Sequence, residues 1–292
     1  MSKKIIDSYL PCDTWLYYKI YCGIKIADEI LVSNVHFLCK ELIESKSIKS
    51  FFFIRYCDPK PHLRLRLLIT SMEHLYEIVS RVNYHFKPFI QENLIGGLQI
   101  DSYKRELERY NIDSIQNSEK IFCLESKMLL EYLLHEKQYD DRLYFVISLV
   151  DFYLTKVNLS IEGKKQFAEK MKCYYSKEFS VDSFFKRNLE AKYRVKRTQI
   201  DKYLFSQEDT IISKLIQEYS SAMEYNLNAI KETPSVNIEY LHYIIQSHIH
   251  MLVNRAFRGN QRLFELIVYD FMIRSYKSKI ARLKCMNADN DR

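Results

Sequence analysis

The sequence is short of turn formers, with five glycines and five prolines among 292 residues. That scarcity argues against long turn-rich β architectures and flexible linkers. The marks of several chemistries are also missing: there is no glycine-rich phosphate loop, GxSxG, HExxH or CxxC, and Gly96-Gly97 is an isolated pair. No cofactor is therefore expected. The seven cysteines, Cys12, Cys22, Cys39, Cys57, Cys123, Cys173 and Cys285, are odd in number and widely spaced. They read as reduced core residues, not as a disulfide ladder or a metal set. Long apolar runs are absent too. The longest stretch free of formal charge, residues 240–254, is too short to span a bilayer and holds three histidines and a glutamine. The start, Met-Ser-Lys-Lys-Ile-Ile-Asp, has no long apolar run behind it, so neither a signal peptide nor a transmembrane segment is expected. A cytoplasmic location is.

What is present is core material. Hydrophobic residues make up 47% of the chain, and it carries 23 tyrosines and 17 phenylalanines, enough for one large packed unit. Lysine and arginine number 44 against 37 acidic residues, a formal charge of +7. The basic residues are interrupted by acidic ones throughout, which reads as a solvated surface and not as a nucleic-acid stripe.

The first third alternates strand and helix signals. Residues 14–22 (TWLYYKIYC), 50–57 (SFFFIRYC) and 62–69 (HLRLRLLI) predict strands, the last two separated by Asp58-Pro59-Lys60-Pro61. Residues 27–45 and 71–84 predict helices, and residues 98–103 a further strand. From about Ser114 the period is near 3.6, over 117–137, 141–158, 160–175, 207–231, 236–257 and 260–284. The expected fold is α+β: a small, mostly antiparallel sheet with flanking helices in the N-terminal third, and a helical C-terminal half packed on it. With no repeat or linker, one domain over 1–292 is expected.

Three segments carry candidate chemistry. In His62-Leu63-Arg64-Leu65-Arg66-Leu67, strand alternation sends the leucines to a core and puts His62, Arg64 and Arg66 on the other face. Two guanidiniums roughly 6.5–7 Å apart along the strand suit a dicarboxylate or a developing oxyanion. The bland reading of the same pattern is an amphipathic strand with a wet basic face. In Tyr103-Lys104-Arg105-Glu106-Leu107-Glu108-Arg109-Tyr110, a spacing of four puts Arg105 and Arg109 on one face in helix or strand, with Glu106 and Glu108 to orient them. In the helix around Ser247–Arg255, His242, Gln246, His250 and Asn254 recur every four residues, a polar stripe that predicts a lined cavity with His250 as proton carrier. His248 and His250 lie about 200° apart around the helix and cannot share a metal.

Together these segments resemble the SpaB C-terminal domain family, the thiopeptide-type bacteriocin biosynthesis proteins that form the elimination domain of class I lanthipeptide dehydratases. The ordered residues are Trp15, Phe53-Ile54-Arg55-Tyr56 with Asp58-Pro59, Pro61-His62-Leu63-Arg64-Leu65-Arg66, and Tyr103 with Glu106 and Arg109-Tyr110. They continue through Glu119, Phe122 and Ser126 to His250-Met251 and Asn254-Arg255. One departure stands out: Asn111-Ile112 replace the glycine pair that the family usually has after Arg109-Tyr110.

The resemblance implies a split arrangement. A glutamylating partner subunit, using glutamyl-tRNA, would esterify Ser or Thr of a precursor peptide, and this chain would eliminate glutamate to leave dehydroalanine or dehydrobutyrine. It implies Arg64, Arg66, Arg109 and His250 as catalytic residues. His62, Tyr103, Arg105, Glu106, Asn254 and Arg255 are the expected substrate-binding residues. The partners expected are the precursor peptide and the glutamylating subunit, with a second copy of the chain as a further candidate and no nucleic acid bound directly. Two alternatives stand beside it: a formal [4+2] cycloaddition that builds a pyridine on a dehydrated thiopeptide precursor, and a non-catalytic peptide-binding subunit.

Overall fold

The structure, a computed structural model, describes residues 6–206 and 208–290. In chain order its elements begin with β1 (Ser8–Tyr9), β2 (Trp15–Cys22), α1 (Ile26–Ile30), a π-helical turn (Leu31–Val35) and α2 (His36–Glu44). Then come β3 (Ile48–Cys57), β4 (Pro61–Ile69), α3 (Leu75–Gln91), β5 (Ile95–Asp101), β6 (Tyr103–Lys104) and the one-turn α4 (Leu107–Tyr110). Helices follow: α5 (Ile115–His135), α6 (Arg142–Lys156), α7 (Ile161–Glu178), α8 (Ser183–Phe205), α9 (Ile211–Lys231), α10 (Ile238–Ala256) and α11 (Gln261–Asn290). Contacts gather these into two compact units, Met1–His135 with Glu218–Gly259, and Glu136–Gln217 with Asn260–Arg292.

The first unit holds a four-stranded antiparallel sheet in the order β3-β4-β2-β5, and β1 pairs with β6 as a separate ribbon. Strand alternation sorts the side chains as expected. Leu63, Leu65 and Leu67 of β4, with Leu16, Tyr18 and Ile20 of β2, form one buried face. The opposite face carries His62, Arg64 and Arg66 beside Tyr21, Lys19 and Tyr17 of β2 and Tyr56, Ile54 and Phe52 of β3. This second face is not a wet basic surface: His62 and Arg66 are buried and Arg64 is half-buried.

The outer edge of β3 would leave backbone groups unpaired, which costs free energy away from water. Side chains of α5 and α10 complete it. Ser126 Oγ accepts from the Phe53 N–H at 3.3 Å, and Arg255 Nε donates to the Phe53 carbonyl at 2.9 Å. Two residues along, where the same edge is presented again, Asn254 Oδ1 accepts from the Arg55 N–H at 3.0 Å and its Nδ2 donates to the Arg55 carbonyl at 2.9 Å. Arg255 is wholly buried against Glu125, with Nη1 at 2.6 Å from its carboxylate and its guanidinium over the Phe122 ring.

In the second unit α7, α8 and α11 pack through Phe167, Met171, Tyr175, Leu189, Tyr193, Ile200, Tyr269 and Phe271, all buried. Among the described residues no single helix is long and apolar enough to cross a membrane.

The expected strands at 14–22, 50–57 and 62–69 are β2, β3 and β4. Three expectations need correction. The helix expected at 71–84 begins with a 3₁₀ turn at Met72–His74 and runs to Gln91 through Pro88, whose ring removes only one bond of the last turns. The strand expected at 98–103 is two elements, β5 and β6. Helix α8 falls outside the expected helical segments, because only Leu189, Tyr193 and Ile200 of its 23 residues are buried and they make no strong stripe. Its start is marked instead by Asp182, whose side chain accepts from the Phe185 N–H at 2.7 Å.

Arg255→Met would strand the Glu125 carboxylate in the core and should cost about 3–5 kcal/mol of unfolding free energy in urea titrations. Adding Glu125→Leu should restore most of that loss, short of about 1 kcal/mol for the bond to the Phe53 carbonyl.

Candidate functional site

The site grows from the cationic face of the sheet. Arg66, 7% exposed, lies across the sheet from Tyr17 and Phe52, and its guanidinium carbon sits 4.6 Å from the Tyr17 ring centre, 5.1 Å from Phe52 and 4.6 Å from Tyr103. Its Nε is buried without a hydrogen-bond partner, and among the described residues no carboxylate forms an ion pair with it. Burial lowers its pKa from the ordinary arginine value, and the nearby Tyr103, Tyr17 and Glu106 only partly compensate. An aromatic cage of this kind holds the cation in place without neutralising it.

Arg64 is held differently. Its Nε donates to His62 Nε2 at 3.1 Å, and its guanidinium lies 3.4 Å from the centre of the Tyr56 ring. His62 Nδ1 is 2.8 Å from the Lys60 carbonyl, so Nδ1 carries the proton and Nε2 is the acceptor. Burial, with Arg64 and Lys19 nearby, lowers the His62 pKa and keeps the ring neutral. Lys19 is paired with Asp101.

Arg66, Tyr103, Lys104, Glu106, Tyr110, Met251 and Arg255 are among the walls of a cavity of about 30 Å³. Next to it, sharing Lys104 and Glu106, a groove of about 540 Å³ is lined by Asp7, Arg105, Leu107, Glu108, Arg109 and Tyr243. The small cavity takes a water-sized group; the groove has the volume of an ordinary ligand pocket.

Arg105 and Arg109 do not share a face, because the backbone changes from β6 to α4 between them. Arg105 turns inward onto Glu119, with Nε and Nη2 at 2.7 and 2.6 Å from its two oxygens. Glu119, not Glu106 or Glu108, orients it, and the Tyr103 hydroxyl donates to the same carboxylate at 2.8 Å. Arg109, on α4, is 37% exposed and pairs with Glu106 at 3.2 Å.

On α10 the residues lining the two spaces are Tyr243, Met251 and Arg255, one position on from the expected stripe of His242, Gln246, His250 and Asn254. Asn254 is committed to the β3 edge and Arg255 to Glu125, so both build the wall. His250 is half-buried, adjoins Met251 and stands one turn before Asn254. His248 is fully buried against Tyr110 and Phe122. Burial first, then the Arg255 charge, lowers its pKa to about 3, so it stays neutral.

The replaced glycine pair has a physical resolution. Asn111 adopts φ 63° and ψ 143°, a conformation that favours glycine. Its side chain supports it: Oδ1 accepts from the Asp113 N–H at 2.9 Å and Nδ2 donates to Ser235 Oγ at 3.1 Å.

Sequence reasoning did not single out Tyr17 or Glu125 as site-building residues, and it named Asn111 only as a departure from the family's glycine pair. Tyr17 was legible as the β2 residue facing Arg66 once strand register was known; Glu125 gave no signal, since its partner lies 130 residues away.

Comparison with known proteins now places the chain. The family described as "Lantibiotic biosynthesis dehydratase C-term" matches residues 15–276, and the chain belongs to that family. It is 31% identical over 159 residues to the nisin biosynthesis protein NisB of Lactococcus lactis subsp. lactis, a stretch covering 53% of this chain and 16% of NisB. It is 27% identical over 180 residues to the subtilin biosynthesis protein SpaB of Bacillus subtilis, covering 59% of this chain and 17% of SpaB. The matched stretches thus span about a sixth of those two relatives. Among solved structures, the fold is shared with the tRNA-dependent lantibiotic dehydratase MibB from Microbispora sp. 107891 (TM-score 0.66, 17% identity, 92% of this chain and 28% of that one). It is shared also with TbtD, the pyridine synthase from thiomuracin biosynthesis (TM-score 0.63, 11% identity, 91% of this chain and 99% of that one).

Two measurements test this geometry. An unfolded histidine titrates near 6.5, so below that pH the unfolded state binds a proton that buried His248 refuses until about pH 3. Stability should therefore fall on acidification from pH 6.5 to 5, approaching about 1.4 kcal/mol per pH unit for this group. His248→Leu should flatten the slope of urea unfolding free energy against pH by that amount. At the turn, Asn111→Gly should melt within a degree or two of the parent, whereas Asn111→Ala, which loses the hydrogen bonds and keeps the strain, should lose about 1–3 kcal/mol.

Proposed function

We propose that the chain eliminates glutamate from glutamylated Ser or Thr of a ribosomally made precursor peptide, as a lyase acting as one elimination-type domain. A separate subunit would supply the glutamyl ester from glutamyl-tRNA, and the reaction would run in the cytoplasm without a cofactor. The single observation that carries this reading is Arg66: a buried, aromatic-caged guanidinium with no carboxylate of its own. Burying a cation costs several kcal/mol, and an incoming carboxylate recovers much of that through charge-assisted hydrogen bonds.

The chemistry follows from what must be stabilised. A base takes the α proton, the Cα–Cβ double bond forms, the Cβ–O bond breaks, and the electron pair leaves on the glutamate carboxylate. Negative charge thus moves from the forming enolate to the leaving group, and fixed cations along that path lower the barrier. Arg64 and Arg66 hold the carboxylates of the departing glutamate, and Arg109, at the groove and restrained by Glu106, supports the enolate or the leaving group. His250 moves the proton or stabilises the enolate. Tyr103 and Arg105, locked on Glu119, fix the wall along which the peptide lies.

Glutamylated peptide mixed with the intact protein should lose one glutamic acid per modified residue by mass spectrometry. Arg66→Ala should slow that loss about 100–1000-fold, with the glutamylated peptide accumulating. Full dehydration by Arg66→Ala and His250→Ala proteins would contradict the assignment, and ring formation with release of the leader would favour the pyridine-forming alternative.

A further inference from the structure

We propose that His62 is a positioning residue: as a neutral imidazole protonated on Nδ1, it fixes the Arg64 guanidinium for the substrate carboxylate by accepting the Arg64 Nε–H on Nε2. The inference rests on the elimination reading for its substrate, but the geometry that carries it does not.

That geometry is over-determined. The Lys60 carbonyl at 2.8 Å demands a proton on Nδ1, and the Arg64 Nε–H at 3.1 Å demands a lone pair on Nε2. One neutral tautomer satisfies both, and the imidazolium satisfies only the first. The ring cannot turn away easily, because Tyr21 lies 5.0 Å from it on one strand and Tyr56 5.5 Å on the other, and the residue is 3% exposed. Tyr56 is shared, since the Arg64 guanidinium lies over its ring at 3.4 Å. With Nε bonded and one face stacked, Arg64 has one orientation, and its two terminal nitrogens remain as a fork for a carboxylate.

Among the described residues Arg64 reaches this state without a bonded carboxylate. A carboxylate in the place of His62 would hold the guanidinium as well but would neutralise it and compete with the substrate. A neutral acceptor orients the cation and leaves its charge available. The charged and titratable groups around the ring are Arg64, Lys19 of β2, Asp58 of the turn, and the phenols of Tyr21 and Tyr56. Arg64 and Lys19 disfavour the imidazolium and Asp58 favours it. Acid would convert the acceptor into a donor aimed at another donor and release Arg64, so substrate capture should have an acid limb set by this ring.

The test compares His62→Phe, which keeps a ring without an acceptor, with His62→Gln, whose side-chain oxygen supplies an acceptor near the Nε2 position. Glutamate release should fall about 10–100-fold in kcat/KM for His62→Phe, mostly through KM, because misplacement of a positioning group costs up to about 100-fold. His62→Gln should return to within about 5-fold of the parent, the worth of one ordinary hydrogen bond. It should also lose the acid limb of kcat/KM. Independently of turnover, ¹⁵N spectra of the labelled parent protein should show His62 as the Nδ1–H tautomer at pH 7. The Arg64 Nε–H signal should broaden on acidification and in His62→Phe. Equal activity losses in the Phe and Gln variants, or an Nε2–H tautomer in the parent, would overturn the proposal. A parent protein that releases no glutamate would instead overturn the reaction reading, and the spectra would still decide the role of His62.

Discussion

The site depends on how the free edge of β3 is closed. A sheet edge exposes alternating N–H and carbonyl groups that must find partners when buried. Here they find them on Ser126, Asn254 and Arg255, so two helices from the two separate segments of the first unit become extensions of the sheet's hydrogen bonding. The buried Arg255–Glu125 pair keeps the guanidinium from being an uncompensated charge at that junction. Arg55 adds a second tie, donating to the Arg255 carbonyl at 2.8 Å and reaching Asp28, which also binds Arg258. The register of α10 against β3 is thereby set, and with it the placement of Met251 and Arg255 in the cavity that Arg66 enters.

Three of the arginines around the site are consumed by this construction. Arg55, Arg105 and Arg255 each meet a carboxylate and a backbone carbonyl. A carboxylate beside a buried guanidinium is what a stable interior needs, because an uncompensated buried charge is expensive. Against that background Arg66, with aromatic rings in place of an anion, is an exception, and among the described residues Arg64 meets two uncharged rings, His62 and Tyr56. The pattern separates residues that build the pocket from residues left able to bind.

The sequence was informative where chemistry and periodicity are local. Alternation in β4 gave the shared face of His62, Arg64 and Arg66, and the family resemblance gathered the residues that the structure joins across long separations, such as Asn254 with Arg55. It was silent where meaning lies in a partner. Arg105 and Arg255 look like binding arginines until Glu119 and Glu125 are seen beside them. A spacing of four suggested one face for Arg105 and Arg109, but periodicity has no force across a change from strand to helix. The α10 residues that line the two cavities are offset by a single position from the polar stripe, and about 100° separates adjacent positions on a helix. Helix α8 escaped because an exposed helix needs little apolar periodicity.

The two guanidiniums of β4 pose one last physical question: how a strand tolerates both with no anion between them. They are two residues apart on one face, roughly 6.5–7 Å along the strand, where like charges in a partly buried setting repel. Among the described residues no carboxylate is bonded to Arg66: Glu106 acts on it only through space, and Asp101, on the same face of the sheet, is paired to Lys19. The strain is borne instead by ring faces, Tyr17, Phe52 and Tyr103 for Arg66 and Tyr56 for Arg64, each offering its negative π surface without the mobility or neutralising power of a carboxylate. A bound dianion would meet two pre-oriented cations and remove their mutual repulsion at once, whereas a neutral peptide segment of the same shape would leave it in place. A preference for an acidic fragment would thus follow from how the two guanidiniums are held.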